Sequence, residues 1–579
     1  MNLRSIRCRF GRPLIRLAVL PLAALVLLSP LSARADAPSV TAAIQSRLVS
    51  GVGLPKGDRD GQDLEIIGRF YETHAMAPLW ISGGRPNEKA QSLLAVLGAA
   101  DADGLDPRDY GVPRIAPLLE RGDSADALAE LELLLTQSAL SFGRDLATGR
   151  LEPSRVDSEL YVEKPVLDSA LLLQQLANNA DPAAVLLPLA PSRPEYLALR
   201  EALVLYRGLA KNGGWQPVPE AEQSLRPGEK DARLPALRSR LRITGELLMT
   251  APIPEDPELY DEAAAVAVKL FQARHGLEPD GVVGKQTILA LNVPAEQRAG
   301  QIMMNMERWR WMPRDLGQSY LLVNLAAFGL SMFDHGKVVH EARVVVGTTS
   351  TRTPVFSRNM TYMEVNPYWH VPYKIVRDEI MPKVRQDPDY LAKHGYELLP
   401  GNGVRQKPGP QNSLGRIKMM FPNEFDIYLH DTPSKALFNR ARRSFSHGCI
   451  RVEHPFDVAE TILRLTGTTD WDRPKLDAAL ESGQRTVVRL KRPIPVYISY
   501  FTAFVAADGK VNFRSDIYGR DRKLANAMHA AGMRWDGVAA EARTASTAAG
   551  GAAPMISPSA PAPNGGNGTP AAGSGNPTP

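Results

Sequence analysis

Cysteine is almost missing from this sequence: 579 residues contain two, Cys8 and Cys449. Cys8 sits in an N-terminal stretch with the layout of a cleaved leader, so the mature chain would keep one thiol, and an internal disulfide is excluded. Clustered metal ligands are lacking as well. The stretch "SHGC" offers one Cys and one His, with His430 and His454 as distant companions, which falls short of a zinc site; neither a metal nor a cofactor is expected. Surplus positive charge is a third absence. Residues 1–35 carry six arginines and no acid, so the formal +5 becomes −1 without them, and nucleic acid is not an implied partner.

What the leader does contain is Arg4, Arg7, Arg9, Arg12 and Arg16 ahead of "LAVLPLAALVLL", then Ala33-Arg34-Ala35. This is the order of a secretory signal cleaved before Asp36. The apolar run is short and broken by Pro21, so an exported chain is expected, held at a membrane face only if the signal stays uncleaved.

The rest is too long for one core and divides into several domains. Residues 40–235 repeat apolar positions at helical spacing in "LEIIGRFYETHAMAPLW", "EKAQSLLAVLGAA", "ADALAELELLLTQSALSFGRDLATG" and "EYLALREALVLYRGLA", which predicts a mostly α scaffold. Residues 236–297 form a small module in which helical spacing around Val268 and Phe271 turns at "EPDG" and resumes at "KQTILALN". From 319 to 500 the period shortens. Runs rich in Val, Leu, Phe and Tyr, broken at "DHGK" and "GTTSTRTP", predict a β-rich α+β domain, with one helix at "PFDVAETILRLTG". Residues 539–579 are Ala, Gly, Pro, Ser, Thr and Asn without periodicity, a composition expected to stay disordered.

A lone thiol in an exported chain asks for a reason, and reactivity is the leading one. Gly448 before Cys449 lets a carbonyl approach the backbone, and Arg440, Arg442, Arg443 and Arg451 nearby would favour thiolate. A nucleophile needs a base, and His430 lies nineteen residues upstream on the strand-like "IYLHDTP". Arg451 shares the nucleophile's face two residues on. His447 ranks below His430 as a base, and Tyr428 and Trp369 are candidate walls for a substrate or core aromatics.

Two resemblances gather these residues. Phe271, Gln272, Gly276, Leu277, Asp280, Gly281, Gly284, Thr287, Ala290, Leu291 and Asn292 resemble the pattern of a three-helix peptidoglycan-binding domain. His430 followed by Ser446-His447-Gly448-Cys449-Ile450-Arg451 resembles the signature of the L,D-transpeptidase (YkuD-type) catalytic domain, and the whole order resembles the large Gram-negative enzymes of the YcbB kind. The resemblance implies a periplasmic, cell-wall-associated enzyme that acts on peptidoglycan stem peptides and glycan strands, forms third-to-third crosslinks through a Cys449 thioester, and is a carbapenem target. It implies His430 as proton donor and acceptor, the Asp431 backbone carbonyl as its orienter, the Gly448 and Cys449 N–H groups in the oxyanion hole, and Arg451, His447, Ser446, Tyr428 and Trp369 toward the substrate. Other cell-wall synthesis proteins remain open as partners. The alternatives are a cysteine carboxypeptidase or endopeptidase on the same stems, and a noncatalytic wall-binding scaffold.

Between Trp369 and His430 the chain is longer than a hairpin needs. "VRDEIMPKVRQDPDYLAKHG" is helix-like and "LLPGNGVRQKPGPQNSLG" reads as a long irregular loop, so residues 373–426 are expected to form an insertion, either a lid over the groove or a disordered excursion.

Overall fold

The computed structural model describes residues 39–51, 58–121, 124–252 and 254–533; the expected leader and the Ala/Gly/Pro-rich tail lie outside them. No helix among the described residues is long and apolar enough to cross a membrane.

The N-terminal region is helical and is built around one long element, Ala125–Thr148. Ser124 caps it by accepting from the Ala127 N–H, and nearly every side chain from Leu128 onward is buried. Helices Val40–Ser50, Glu88–Gly98 and Ser169–Asn178 surround it, as an element apolar on all faces requires. One acid sits in that core. Glu132 is fully buried, and its carboxylate accepts from Tyr71 Oη at 2.6 Å, Leu79 N at 2.5 Å and Trp80 N at 2.9 Å. Burial pushes its pKa up to about 7.

Helices Leu234–Ile243, Glu262–Arg274 and Lys285–Leu291 make the small module around Leu237, Leu241, Val268, Phe271 and Leu291. Its motif glutamine is structural. Gln272 Nε2 donates to Asp280 Oδ1 at 3.0 Å and to the Val282 carbonyl at 2.9 Å, while its Oε1 accepts from Gly281 N at 2.8 Å.

A helix with no expectation behind it follows, Ala295–Trp311. Its charges broke the apolar stripe a sequence reading looks for. The structure buries them as pairs, Arg310 with Glu307 at 2.9 Å and Arg308 with Asp521 at 2.6 Å.

The β-rich domain has nine strands: β1 Ser319–Asn324, β2 Gly329–Asp334, β3 Lys337–Gly347, β4 Phe356–Val365, β5 Ile417–Met420, β6 Leu429–His430, β7 Ser444–Ser446, β8 Ile450–Val452 and β9 Thr486–Ser499. They run in the order β7-β3-β8-β6-β5-β4-β9-β1-β2, and β2 pairs again with β3, so the sheet closes on itself. Closure removes the exposed edges of an open sheet. Leu321, Val344, Met363, Met419 and Ile450 fill the interior, with Ile462 of helix Pro455–Leu465 packed against them.

The insertion between β4 and β5 is not an irregular loop. Trp369–His370, Gly403–Gln406 and Tyr396–Leu399 pair into a three-stranded sheet. Helical turns at 373–393 cover it over a small core of Val371, Val376, Ile380 and Val404. Of the prolines and glycines that suggested a loop, Pro400 and Gly401 make the turn between two of these strands, and Pro408, Gly409, Pro410 and Gly415 lie in the stretch that leads on to β5. Beyond residue 500 the chain continues in hairpin Ala503–Val505 and Val511–Phe513, then helix Arg520–Ala530, and returns to pack on Ala295–Trp311.

Candidate active site

Strand register assembles the site. β6 and β8 run parallel with Leu429 opposite Ile450 and His430 opposite Arg451. Lys418 of β5 lies opposite His430, and Glu364 of β4 opposite Lys418. Side chains alternate across a strand, so Met363, Met419, Leu429 and Ile450 enter the core while the polar row Glu364, Lys418, His430, Arg451 lies on the other face. Tyr428 and Cys449 extend that row by one step, joined through Ile450 N–H to the Tyr428 carbonyl at 3.1 Å.

His430 is 4% exposed. Its Nδ1–H donates to the Asp431 carbonyl at 2.5 Å, which leaves the lone pair of the neutral ring on Nε2. Burial, then Arg451, then Lys418 bring its pKa down to about 3. The Asp431 carboxylate faces elsewhere, accepting from Arg416 N at 2.8 Å and pairing with Lys435.

Cys449 is half-buried, and its thiol donates to the Asp426 carbonyl at 3.4 Å. Burial raises the thiol's pKa, against the pull of the Tyr428 backbone N–H and hydroxyl and of Lys418. This direction is opposite to the one expected from neighbouring arginines. Arg440, Arg442 and Arg443 line a separate groove, and burial outweighs the cations that do reach the sulfur.

The Ser-His-Gly-Cys turn is fixed by its own hydrogen bonds. Gly448 has φ 120°, a conformation that side chains resist. Its N–H donates to Ser446 Oγ at 3.1 Å, its carbonyl accepts from Thr353 Oγ1 at 2.7 Å, and Ser446 Oγ donates to the Cys449 carbonyl at 2.5 Å. Two expectations are corrected here. The Gly448 N–H is directed into the turn rather than toward an oxyanion, and Ser446, 3% exposed, braces the turn rather than facing a substrate. His447 is exposed and meets Glu379 of the insertion, Nε2 to Oε1, at 2.6 Å. Tyr428 and Cys449 both pack, partly buried, against the barrel core, and burial raises the Tyr428 hydroxyl well above its ordinary range. Arg451 carries a buried Nε without a partner among the described residues.

Residues 318–490 match the L,D-transpeptidase catalytic domain family. Residues 231–291 match the family described as "Putative peptidoglycan binding domain", and residues 65–203 a "Scaffold domain". A curated protein of Haemophilus influenzae, named "Putative L,D-transpeptidase", is 32% identical over 277 residues, 44% of this chain and 54% of that protein. The chain thus spans about half the length of this relative. Solved structures with likeness include an L,D-transpeptidase of Xylanimonas cellulosilytica, 18% identical, covering 48% of this chain and 99% of that one at a TM-score of 0.17. Another is a variant L,D-transpeptidase of Enterococcus faecium, 14% identical, covering 32% and 50% at a TM-score of 0.15. At those scores neither superposition carries an argument about this chain.

Within the L,D-transpeptidase domain, sequence reading missed Lys418, Thr353 and Asp426. Lys418 interrupts the apolar "IKMMF" at an alternate position, a signal for a polar group on a strand's outer face. Thr353 left no such signal, because its role is a contact with Gly448, ninety-five residues away in sequence.

Proposed function

We propose that this chain is an exported, periplasmic cysteine acyltransferase that joins peptidoglycan stem peptides third residue to third residue. The observation that carries the reading is the placement of a neutral His430, fixed through Nδ1 by the Asp431 carbonyl, on the strand beside Cys449 and on the same face. Cys449 Sγ attacks the carbonyl carbon that precedes the terminal D-alanine of a donor tetrapeptide as His430 Nε2 takes the thiol proton. The oxyanion is met by the Cys449 N–H, since that of Gly448 is engaged. The C–N bond breaks, His430 returns the proton to the D-alanine amine, and a thioester remains. An amine of a second stem attacks it, loses its proton to His430, and the thiol is restored. Arg451, with its unpartnered buried Nε, takes a substrate carboxylate.

The insertion supports amine over water as acceptor. It is a folded unit that touches the Ser-His-Gly-Cys turn through Glu379 and His447, and in this reading it covers the thioester and excludes water. Incubation with a disaccharide-tetrapeptide, read by product mass, tests the reading. Crosslinked dimer and free D-alanine are expected. Tripeptide alone would make the enzyme a carboxypeptidase, and unchanged substrate would leave a wall-binding scaffold.

A further inference from the structure

A groove of about 840 Å³ lies between the three-helix module and the β-rich domain. One wall comes from the module, with Lys285, Glu278 and Asp280; the other comes from the segment before β7, with Arg440, Arg442 and Arg443, joined by Arg514. Ala326, Ala327 and Phe328 make a small apolar floor.

The positive charge in this groove is poorly matched. Asp280 is already held by Gln272 and by the Val282 N–H, and Arg343 is paired with Glu453. Arg443 donates to the carbonyls of Val344, Arg440 and Phe328. Arg514 donates to those of Arg274 and Phe513. Carbonyls hold these guanidiniums in place without neutralising them. Burial, and then repulsion from Arg343 on Arg443 and from Arg443 on Arg514, brings each down to about 10, although Glu453 and Glu278 pull Arg443 the other way. Arg440 and Arg442 are exposed beside them.

We propose that the groove is a second binding site for a peptide bearing two or more free carboxylates, held by Arg440 and Arg442 on one wall and Lys285 on the other. The polymer implied by the proposed function carries such peptides, and to that extent the site rests on that reading. The arginine wall leads straight into β7 and the Ser-His-Gly-Cys turn. Arg443 stands six positions before Cys449, so at most about 20 Å of chain separates them. A stem seated here keeps its glycan strand beside the thiol while the module holds the same strand.

The test uses the full chain and a synthetic stem tetrapeptide carrying a photoreactive diazirine, with adducts located by mass spectrometry. Two sets are expected, one near Cys449 and one on residues 276–287 or 439–443. In the double variant Arg440→Ala/Arg442→Ala the groove set should fall about tenfold or more, while Cys449 acylation is kept. Lys285→Ala supplies the same readout from the opposite wall. A tetrapeptide with every carboxylate amidated should leave the groove unlabelled. No groove adducts on the wild-type chain, groove adducts that survive both variants, or equal labelling by the amidated peptide would each overturn the site. Groove labelling without acylation of Cys449 would keep the site and reject the chemistry proposed above.

Discussion

Glu132 and His430 are both ionisable groups in nearly dry surroundings, and burial drives both toward their neutral forms, to about 7 and about 3. Their partners separate them. Glu132 accepts three hydrogen bonds from three residues that its helix packs against, so it staples a fold. His430 commits one ring nitrogen to the Asp431 carbonyl and, by doing so, defines a lone pair on the other. A shifted pKa marks burial; the atom left for a reactant marks chemistry.

The sharpest way to break that contrast is to remove each group. Cys449→Ala should abolish acylation and crosslinking, and His430→Gln should slow both about 10²–10⁴-fold with little loss of thermal stability, read by intact-protein mass and a melt. Glu132→Ala should do the reverse. Unpaired Leu79 and Trp80 N–H donors, with the Tyr71 hydroxyl left only Thr136, should cost about 2–4 kcal/mol, measured by denaturant unfolding, with turnover of a soluble tetrapeptide unchanged at temperatures where the protein is folded. A His430→Gln enzyme of full activity, or a Glu132→Ala protein of full stability, would erase the distinction.

Titration sharpens it further. Glu132 ionises near 4.5 when unfolded and about 7 when folded, so its region should lose up to about 1.4 kcal/mol per pH unit between those values as pH rises. His430 has the opposite sign. It ionises at about 6.5 unfolded and about 3 folded, so stability around it is intact above 6.5 and is lost as pH falls toward 3. Hydrogen exchange should show amides of Ala125–Thr148 weakening from pH 4.5 to 7 and those of β5 and β6 strengthening from 3 to 6.5. The same logic predicts that alkylation of Cys449 by iodoacetamide climbs with pH into the alkaline range, with no plateau near neutrality, because the thiol is raised and the imidazole stays uncharged. The smallest effect belongs to the contact between insertion and turn. Glu379→Gln should change acylation less than twofold yet raise the tripeptide-to-dimer ratio a few-fold, read by chromatography of the products.

How much of this was legible beforehand follows the same line. Cys449 and His430 stand out in the sequence because the proposed chemistry needs those residue types, and the scaffold helices and the helix at Pro455–Leu465 could be read because their apolar spacing is regular. Ala295–Trp311 could not be read, since Glu307, Arg308 and Arg310 look like a solvated face until their buried partners are known. Arginine proximity in sequence was likewise a poor guide to the thiol. Lys418, thirty-one residues upstream, lies nearer the sulfur electrostatically than Arg443, because strand pairing and not chain order sets neighbours.

β9 occupies the ring position between β4 and β1. Residues 486–499 are therefore the closing stave: as the polypeptide emerges from the ribosome, every strand that bears the reactive groups is made before the one that lets the barrel shut. Until then β4 and β1 present unpaired edges, and the catalytic row has no finished wall behind it. A chain stopped short of residue 486 would carry the strands of His430 and Cys449 without the closure, which ties completion of the barrel to near-complete synthesis.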